Sequence, residues 1–498
     1  MPISSAVDPS ARARVLGIKT EFRNLAPGNP AFLPQRVALI GQGATAATYD
    51  TAKVQYFTAF DVGTAYGFGS PVHLAAMQLQ PTNGDGIGTI PLTVYPLEDD
   101  GSGVASAGDI TPTVGSLTEA SYKVRVNNID SEAFIVEVGD AVADVTAKMV
   151  TAINAVLEMP VIASDGTTTL DVASKWKGAS ANDIVLEVVG PTDAGMTWAF
   201  TQPVNGANNP DVQDALDLIG DVWETMVLNC MDVADTDTLD TFQTFGDGRW
   251  GPLVRKPLLV FTGNTATTVA AAIAVPDARK TDKVNAQLVA PGSNDLPFVV
   301  AARQLARIVK QANTNPPVDY ARQGATGLVA GADGDQWTAT QRDAALKGGS
   351  STVEIIDGVV NLSDTVTFYH PTGDPNPAYR YVVSIVRLQT IIYNTELAFN
   401  TPDWAGAPLI PDDQPTTNSA AKKPKMAVAL VSGLIDGFAS QAIISDPETA
   451  KQSILAGISA TNPNRLDISY AVALSGNTNI ISIDLFFGFY FGTEPVVG

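Results

Sequence analysis

Gly41-Gln42-Gly43-Ala44-Thr45-Ala46 follows the apolar run Val37-Ala38-Leu39-Ile40, so a strand runs straight into the pattern G-x-G-x-x-A. Such a turn lets backbone amides approach a pyrophosphate at a helix N-terminus. Asp61 stands roughly twenty residues on, where a ribose-binding carboxylate would be sought. That acid should end a second strand, and Tyr49 to Phe60 shows no strand pattern before it. The glycines therefore read first as a tight turn, with nucleotide binding as the competing reading.

Other reactive side chains are sparse. His73 and His370 are the only histidines, and neither has a second histidine at metal-ligand spacing. His370, in Phe368-Tyr369-His370-Pro371, reads as a packed residue at a strand end. No Gly-x-Ser-x-Gly elbow occurs, and Cys230, the single cysteine, sits in the apolar run Val227-Leu228-Asn229-Cys230-Met231 as a buried strand thiol. Asp333 and Asp335 lack the remaining ligands of a calcium loop and read as a polar turn. These residues favour no enzyme, no metal site and no cofactor.

The strongest pattern lies at the end of the chain. Asn479 to Phe491 reads as one strand with Ile481, Ile483, Leu485, Phe487, Phe489 and Phe491 on a single face. Its other face carries Ser482, Asp484, Phe486, Gly488 and Tyr490, so the segment is amphipathic and too short to span a bilayer as a helix. Upstream, Leu466 to Leu474 alternates in the same way, and Ser475-Gly476-Asn477-Thr478 offers a tight reversal. The expectation is a closing hairpin, either buried in its own domain or adding its last strand to another chain.

Composition sets the class of protein. With 498 residues, several domains are expected. A 45% hydrophobic and 16% charged composition indicates a folded chain. The formal net charge of -22 repels a phosphate backbone, which excludes nucleic acid as a direct partner. Lys422, Lys423 and Lys425 cluster in a loop, and Arg303, Arg307 and Lys310 share a helical face; both are expected to be ordinary solvated basic surface. No signal sequence or apolar run of membrane-spanning length is evident, so synthesis in a reducing cytoplasm is expected.

Along the chain, residues 1–22 carry Arg12, Arg14 and Lys19 with little apolar periodicity and read as an extended arm. Residues 23–83 and 210–329 alternate strands and helices, which predicts an open, mostly parallel α/β core. Between them, residues 84–209 form strand-like runs bounded by turn-rich loops, the signature of an inserted β-rich domain. Residues 330–478 make a C-terminal α+β domain with strands at Val353–Ile356 and Val366–Tyr369, a long helix near Arg380–Phe399 and a Pro-rich linker from Thr401 to Pro424. Residues 479–498 form the terminal, exchangeable strand. No fixed-period repeat is present. The fold class is thus α/β multidomain.

The basic arm, the interrupted α/β core, the Phe-rich final strand, Val353-Glu354-Ile355-Ile356-Asp357-Gly358 leading to Val366-Thr367-Phe368-Tyr369, and Ala378-Tyr379-Arg380-Tyr381-Val382-Val383-Ser384-Ile385-Val386-Arg387 together resemble a contractile-tail sheath protein of bacteriophages, and are similar to its Mu-like branch. The resemblance covers most of the chain and is weakest over residues 84–205. It implies a structural subunit: hexameric rings stacked helically around a tail tube, contracting to drive that tube through a host envelope. It implies self-association, contacts with tail tube, baseplate and tail terminator proteins, and residence in the virion after assembly in the host bacterial cytoplasm, with no stable membrane insertion. Residues 330–478 would face the tube and residues 84–209 would point outward. Arg12, Arg14, Ile481, Ile483, Leu485, Phe487, Phe489 and Phe491 would then lie at subunit interfaces. The sheath of a related secretion or bacteriocin device, and more distantly a nucleotide-binding enzyme, remain as alternatives.

Overall fold

The computed structural model describes residues 30–374 and 378–489. Its centre is a six-stranded sheet in the spatial order Asn285–Val289, Leu259–Asn264, Met226–Asn229, Val37–Gln42, Leu92–Leu97, Val54–Tyr56. The first five strands run parallel, and only the short edge strand Val54–Tyr56 is antiparallel. Every residue of those five parallel strands is buried, because helices cover both faces; such strands read as continuous apolar runs. The helix Pro297–Thr314 lies over Leu259–Asn264 and Asn285–Val289 and packs against the helix Pro71–Leu79. Both helices begin with proline at the first turn, where its missing N–H costs nothing.

The chain leaves this sheet at Leu97 and returns at Met226. In between it builds two antiparallel sheets, one in the order Met196–Val204, Ala105–Val114, Leu170–Lys177, Val161–Asp165, the other centred on Ala120–Val126, with the helix Val142–Asn154 between. The apolar core of this β-rich region is continuous with that of the main sheet: Trp176 stands edge-on to Phe298 with ring centroids 6.0 Å apart.

Beyond residue 330, Thr352–Ile356 and Val359–Asp364 form a hairpin whose turn residues Asp357 and Gly358 both take positive φ, as a type I′ turn requires. Two long helices, Val382–Phe399 and Pro424–Ser440, then carry a second apolar cluster around Val431, Ile435 and Phe438.

Two expectations for this region are corrected. Val366–Tyr369 is not a full strand: it makes one bridge, Val366 with Tyr381, and the Phe368 amide donates to the Asn285 carbonyl at 2.9 Å, shielding the edge of the main sheet. The closing hairpin is also not formed. Leu466–Ser469 pairs back onto Leu455–Ile458, Ala473–Leu474 pairs with Ile444–Ser445, and residues 475–489 form no strand. A strand holds its shape through partner hydrogen bonds, and within one chain this segment joins no sheet edge.

Candidate assembly interface

The terminal segment is anchored at its root and exposed beyond it. The Ser475 amide donates to the Ile443 carbonyl at 3.1 Å, and the Asn479 amide to the Asn477 carbonyl at 3.0 Å. Arg387, buried on the helix Val382–Phe399, holds the same turn. One terminal nitrogen donates to the Ser475 carbonyl; the other donates to the Pro317 carbonyl at 2.5 Å and to Asn477 Oδ1 at 2.7 Å. Asn477 Nδ2 donates to the same Pro317 carbonyl at 3.0 Å. A planar guanidinium suits this fork, which an ammonium could not fill. Burial pulls the Arg387 pKa down, with Asp319 opposing that shift. Beside the root lies a cleft of ≈ 680 Å³ lined by Asp319, Arg322, Glu354, Asp364 and Asn479.

Past Asn479 the side chains turn to solvent. Ile480, Ile481, Ile483, Leu485, Phe486, Phe487 and Phe489 are 73% to 92% exposed. Burying apolar surface of this kind is worth roughly 25 cal/mol per Å², which makes the segment a candidate interaction site. The rings of Phe487 and Phe489 stand edge-on, 6.4 Å apart. Earlier in the chain, the pair Leu455–Ile458 and Leu466–Ser469 is a two-stranded sheet, so each strand is bonded on one side only. Of the residues expected at subunit interfaces, the structure thus brings Ile481, Ile483, Leu485, Phe487 and Phe489 together on one exposed segment. Arg12, Arg14 and Phe491 lie outside the described residues.

The glycine turn, the two histidines and the cysteine are taken up by packing. No helix directly follows Gln42; the amide of Gly43 donates to the Tyr49 hydroxyl at 3.2 Å, and a Cβ on Gly43 would meet the Tyr49 ring at 2.4 Å. Gln42 Nε2 donates to Asp99 Oδ1 at 2.5 Å, so a carboxylate stands where a phosphate would need a donor. Asp61 is in the first turn of the helix Ala59–Tyr66, and its amide donates to the Thr58 hydroxyl at 3.2 Å. His73 is buried, accepts from the Gly69 amide at 3.1 Å, and is driven down to about 4 by burial. His370 Nδ1 lies 2.6 Å from the Phe368 carbonyl. Cys230 is buried, and burial pushes its thiol up. Among the described residues no cluster of His, Cys, Asp or Glu could hold a metal, and no helix is long and apolar enough to cross a membrane.

The basic clusters are not ordinary solvated faces. Arg303 is buried and pairs with Asp85 at 2.9 Å, and Arg307 adds both terminal nitrogens to the same carboxylate. Arg307, with Arg303 behind it, holds the Asp85 carboxyl below the usual range. Only Lys310 of that trio is exposed. Lys422 is likewise buried, paired with Asp403 at 2.6 Å and set over the Trp404 ring. Sequence reasoning missed Arg387 as the tail anchor. Its one signal is a lone arginine inside the apolar run Val382 to Ile391.

No protein-family model matches the chain. A Mu-like prophage tail sheath protein from Haemophilus influenzae is 24% identical over 404 residues, covering 79% of this chain and 80% of that protein. Among solved structures, a sheath tail protein from Desulfitobacterium hafniense is 13% identical with TM-score 0.45, over 92% of this chain and 100% of that one. One from Listeria innocua is also 13% identical with TM-score 0.47, over 90% and 94%. TM-scores below 0.5 leave those two correspondences loose, so the relationship rests on the sequence match. Over 79% of its length the chain is thus similar in sequence to a Mu-like prophage tail sheath protein.

Proposed function

We propose that this chain is the repeating subunit of a contractile phage tail sheath. Subunits form hexameric rings that stack helically around the tail tube, and contraction drives the tube through the host envelope. Assembly takes place in the host cytoplasm, with baseplate and tail terminator proteins at the two ends. Residues 84–209 would be an outward-facing inserted domain, and residues 330–478 the tube-proximal one. The observation that carries the reading is the apolar segment Ile480 to Phe489, whose large aliphatic and aromatic side chains are 73% to 92% exposed and whose root is held at Ser475 and Asn477. Donated to a neighbour, it completes a sheet through main-chain hydrogen bonds, which link subunits without fixing how their bodies pack. The domain surfaces are then able to exchange one packing for another while the links persist. The energy of contraction is stored in assembly, so no nucleotide is consumed.

Removal of residues 479–498 tests this. Electron microscopy of the purified full chain at rising concentration should show hollow tubes or stacked rings, and the truncated chain should stay monomeric with its melting temperature unchanged. Normal polymers from the truncated chain would refute the strand-exchange role.

A further inference from the structure

The helix Val382–Phe399 holds both the first described residues of the chain and the root of the tail. Near one end Arg387 grips Ser475 and Asn477 at the tail root. Seven residues on, Asn394 grips the point where the described chain begins: its Oδ1 accepts from the Ala31 amide at 3.0 Å and its Nδ2 donates to the Ala31 carbonyl at 2.8 Å. Positions seven apart share one face of an α-helix and lie about 10 Å apart along its axis. The entry point is further pinned by Gln441, whose Nε2 donates to the Pro30 carbonyl at 2.6 Å, and by Gly437, where a Cβ would come within 2.2 Å of the Pro30 ring.

The same helix is tied firmly to everything else. Val382, Val383, Ile385 and Val386 belong to the main apolar cluster, while Ile391 belongs to the second. From another face Gln389 Nε2 donates to the Pro257 carbonyl at 3.0 Å, just ahead of the central strand Leu259–Asn264. A buried polar side chain on an apolar helix is costly unless its bonds matter. Here Arg387 directs its bonds to Ser475, Asn477 and the Pro317 carbonyl, and Asn394 directs its bonds to Ala31 and to the Thr390 carbonyl one turn back.

We infer that the helix Val382–Phe399 is a common anchor for the tail root and for the chain at Ala31, with Arg387 and Asn394 as its positioning residues. The inference rests on the reading that the tail links neighbouring subunits. A pull on the tail enters the helix at Arg387 and reaches the chain at Ala31 through Asn394, two turns away, within an element that Gln389 and the main apolar cluster tie to the central sheet. The tail root and Ala31 keep a fixed separation while the bodies they belong to repack.

Hydrogen exchange on the full chain, kept below its assembly concentration, tests the coupling. Loss of one grip should loosen the other, because coupling between two sites on one element is reciprocal. Arg387→Met should speed exchange about tenfold at Ser475 and Asn479 and also at Ala31, with Leu39, Leu228 and Val260 in the central sheet still protected. Asn394→Ala should do the converse. A rise confined to the substituted grip would overturn the inference, since a merely local bond would do no more. If Arg387→Met loosens the central sheet as well, Asn477→Ala at the half-buried root decides: a shared rise at Ala31 supports the anchor, a local one overturns it. Because these readouts come from the monomer, they separate from the polymer test. Polymers that survive loss of residues 479–498 would sink strand exchange whatever the exchange rates show, while uncoupled grips in a chain that needs its tail to polymerise would sink the anchor alone.

Discussion

The β-rich region and the C-terminal end of the chain handle the edges of their sheets in opposite ways. In the β-rich region the edge strand Val161–Asp165 is met by Asn154, whose Nδ2 donates to the Ala163 carbonyl at 2.9 Å and whose Oδ1 accepts from the Ala163 amide at 3.0 Å. The edge strand Leu186–Val189 is met by Gln202, which bonds both the amide and the carbonyl of Leu186, at 2.7 and 3.0 Å. An amide side chain that satisfies both backbone groups of one residue stands in for a neighbouring strand and blocks a real one. At the C-terminal end, Leu455–Ile458 and Leu466–Ser469 have no such cover among the described residues, and an apolar segment follows them into solvent. One region closes its edges within the chain; the other leaves its edges and its apolar tail uncovered among the described residues.

That contrast is most sharply broken by putting charge on the open side. Ile483→Asp together with Phe487→Asp should abolish polymers in electron microscopy while leaving the melting temperature where it was, since both side chains are already exposed. Polymers that persist would mean the open side is not where subunits join. In the central α/β core, which is likewise closed within the chain, Asp85→Ala should cost about 3 kcal/mol in urea unfolding, because it leaves Arg303 buried without its carboxylate. Asn154→Ala should cost about 1 kcal/mol and expose a new pairing edge, seen as concentration-dependent association of the tail-deleted chain. A pH-dependent test concerns Asp183, whose carboxyl burial raises to about 7, with Asp232 adding to the shift. A carboxyl raised above its unfolded value holds its proton longer in the fold, so stability falls as pH rises from about 4 to 7 and stays lowered above that. Asp183→Asn should therefore raise the melting temperature at pH 8 and leave it unchanged at pH 4.

Where strands are buried on both faces, the sequence speaks plainly. Val37–Ile40 misses only the last two residues of its strand, Val37–Gln42, since parallel strands covered on both faces leave uninterrupted apolar runs. Arg303 and Arg307 defeat a local reading because their partner, Asp85, lies more than 200 residues away and no spacing announces it. Leu466–Ser469 alternates as expected, yet its pairing with Leu455–Ile458 instead of the tail depends on which edge is available, a matter of tertiary arrangement and not of pattern. The apolar face of the tail is legible from its alternation, while strand structure needs a paired edge, which alternation alone does not supply. Arg387 and Asn394 stay hidden for a related reason: what they hold is backbone, which has no sequence signature.

Cys230 is the one cysteine in the chain, fully buried just past the central strand Met226–Asn229 and against Gly41, where a Cβ would come within 2.8 Å of it. A polymer built as proposed would carry no thiol of this chain at its joints. Passing from a reducing to an oxidising medium would leave those joints with no cysteine to cross-link.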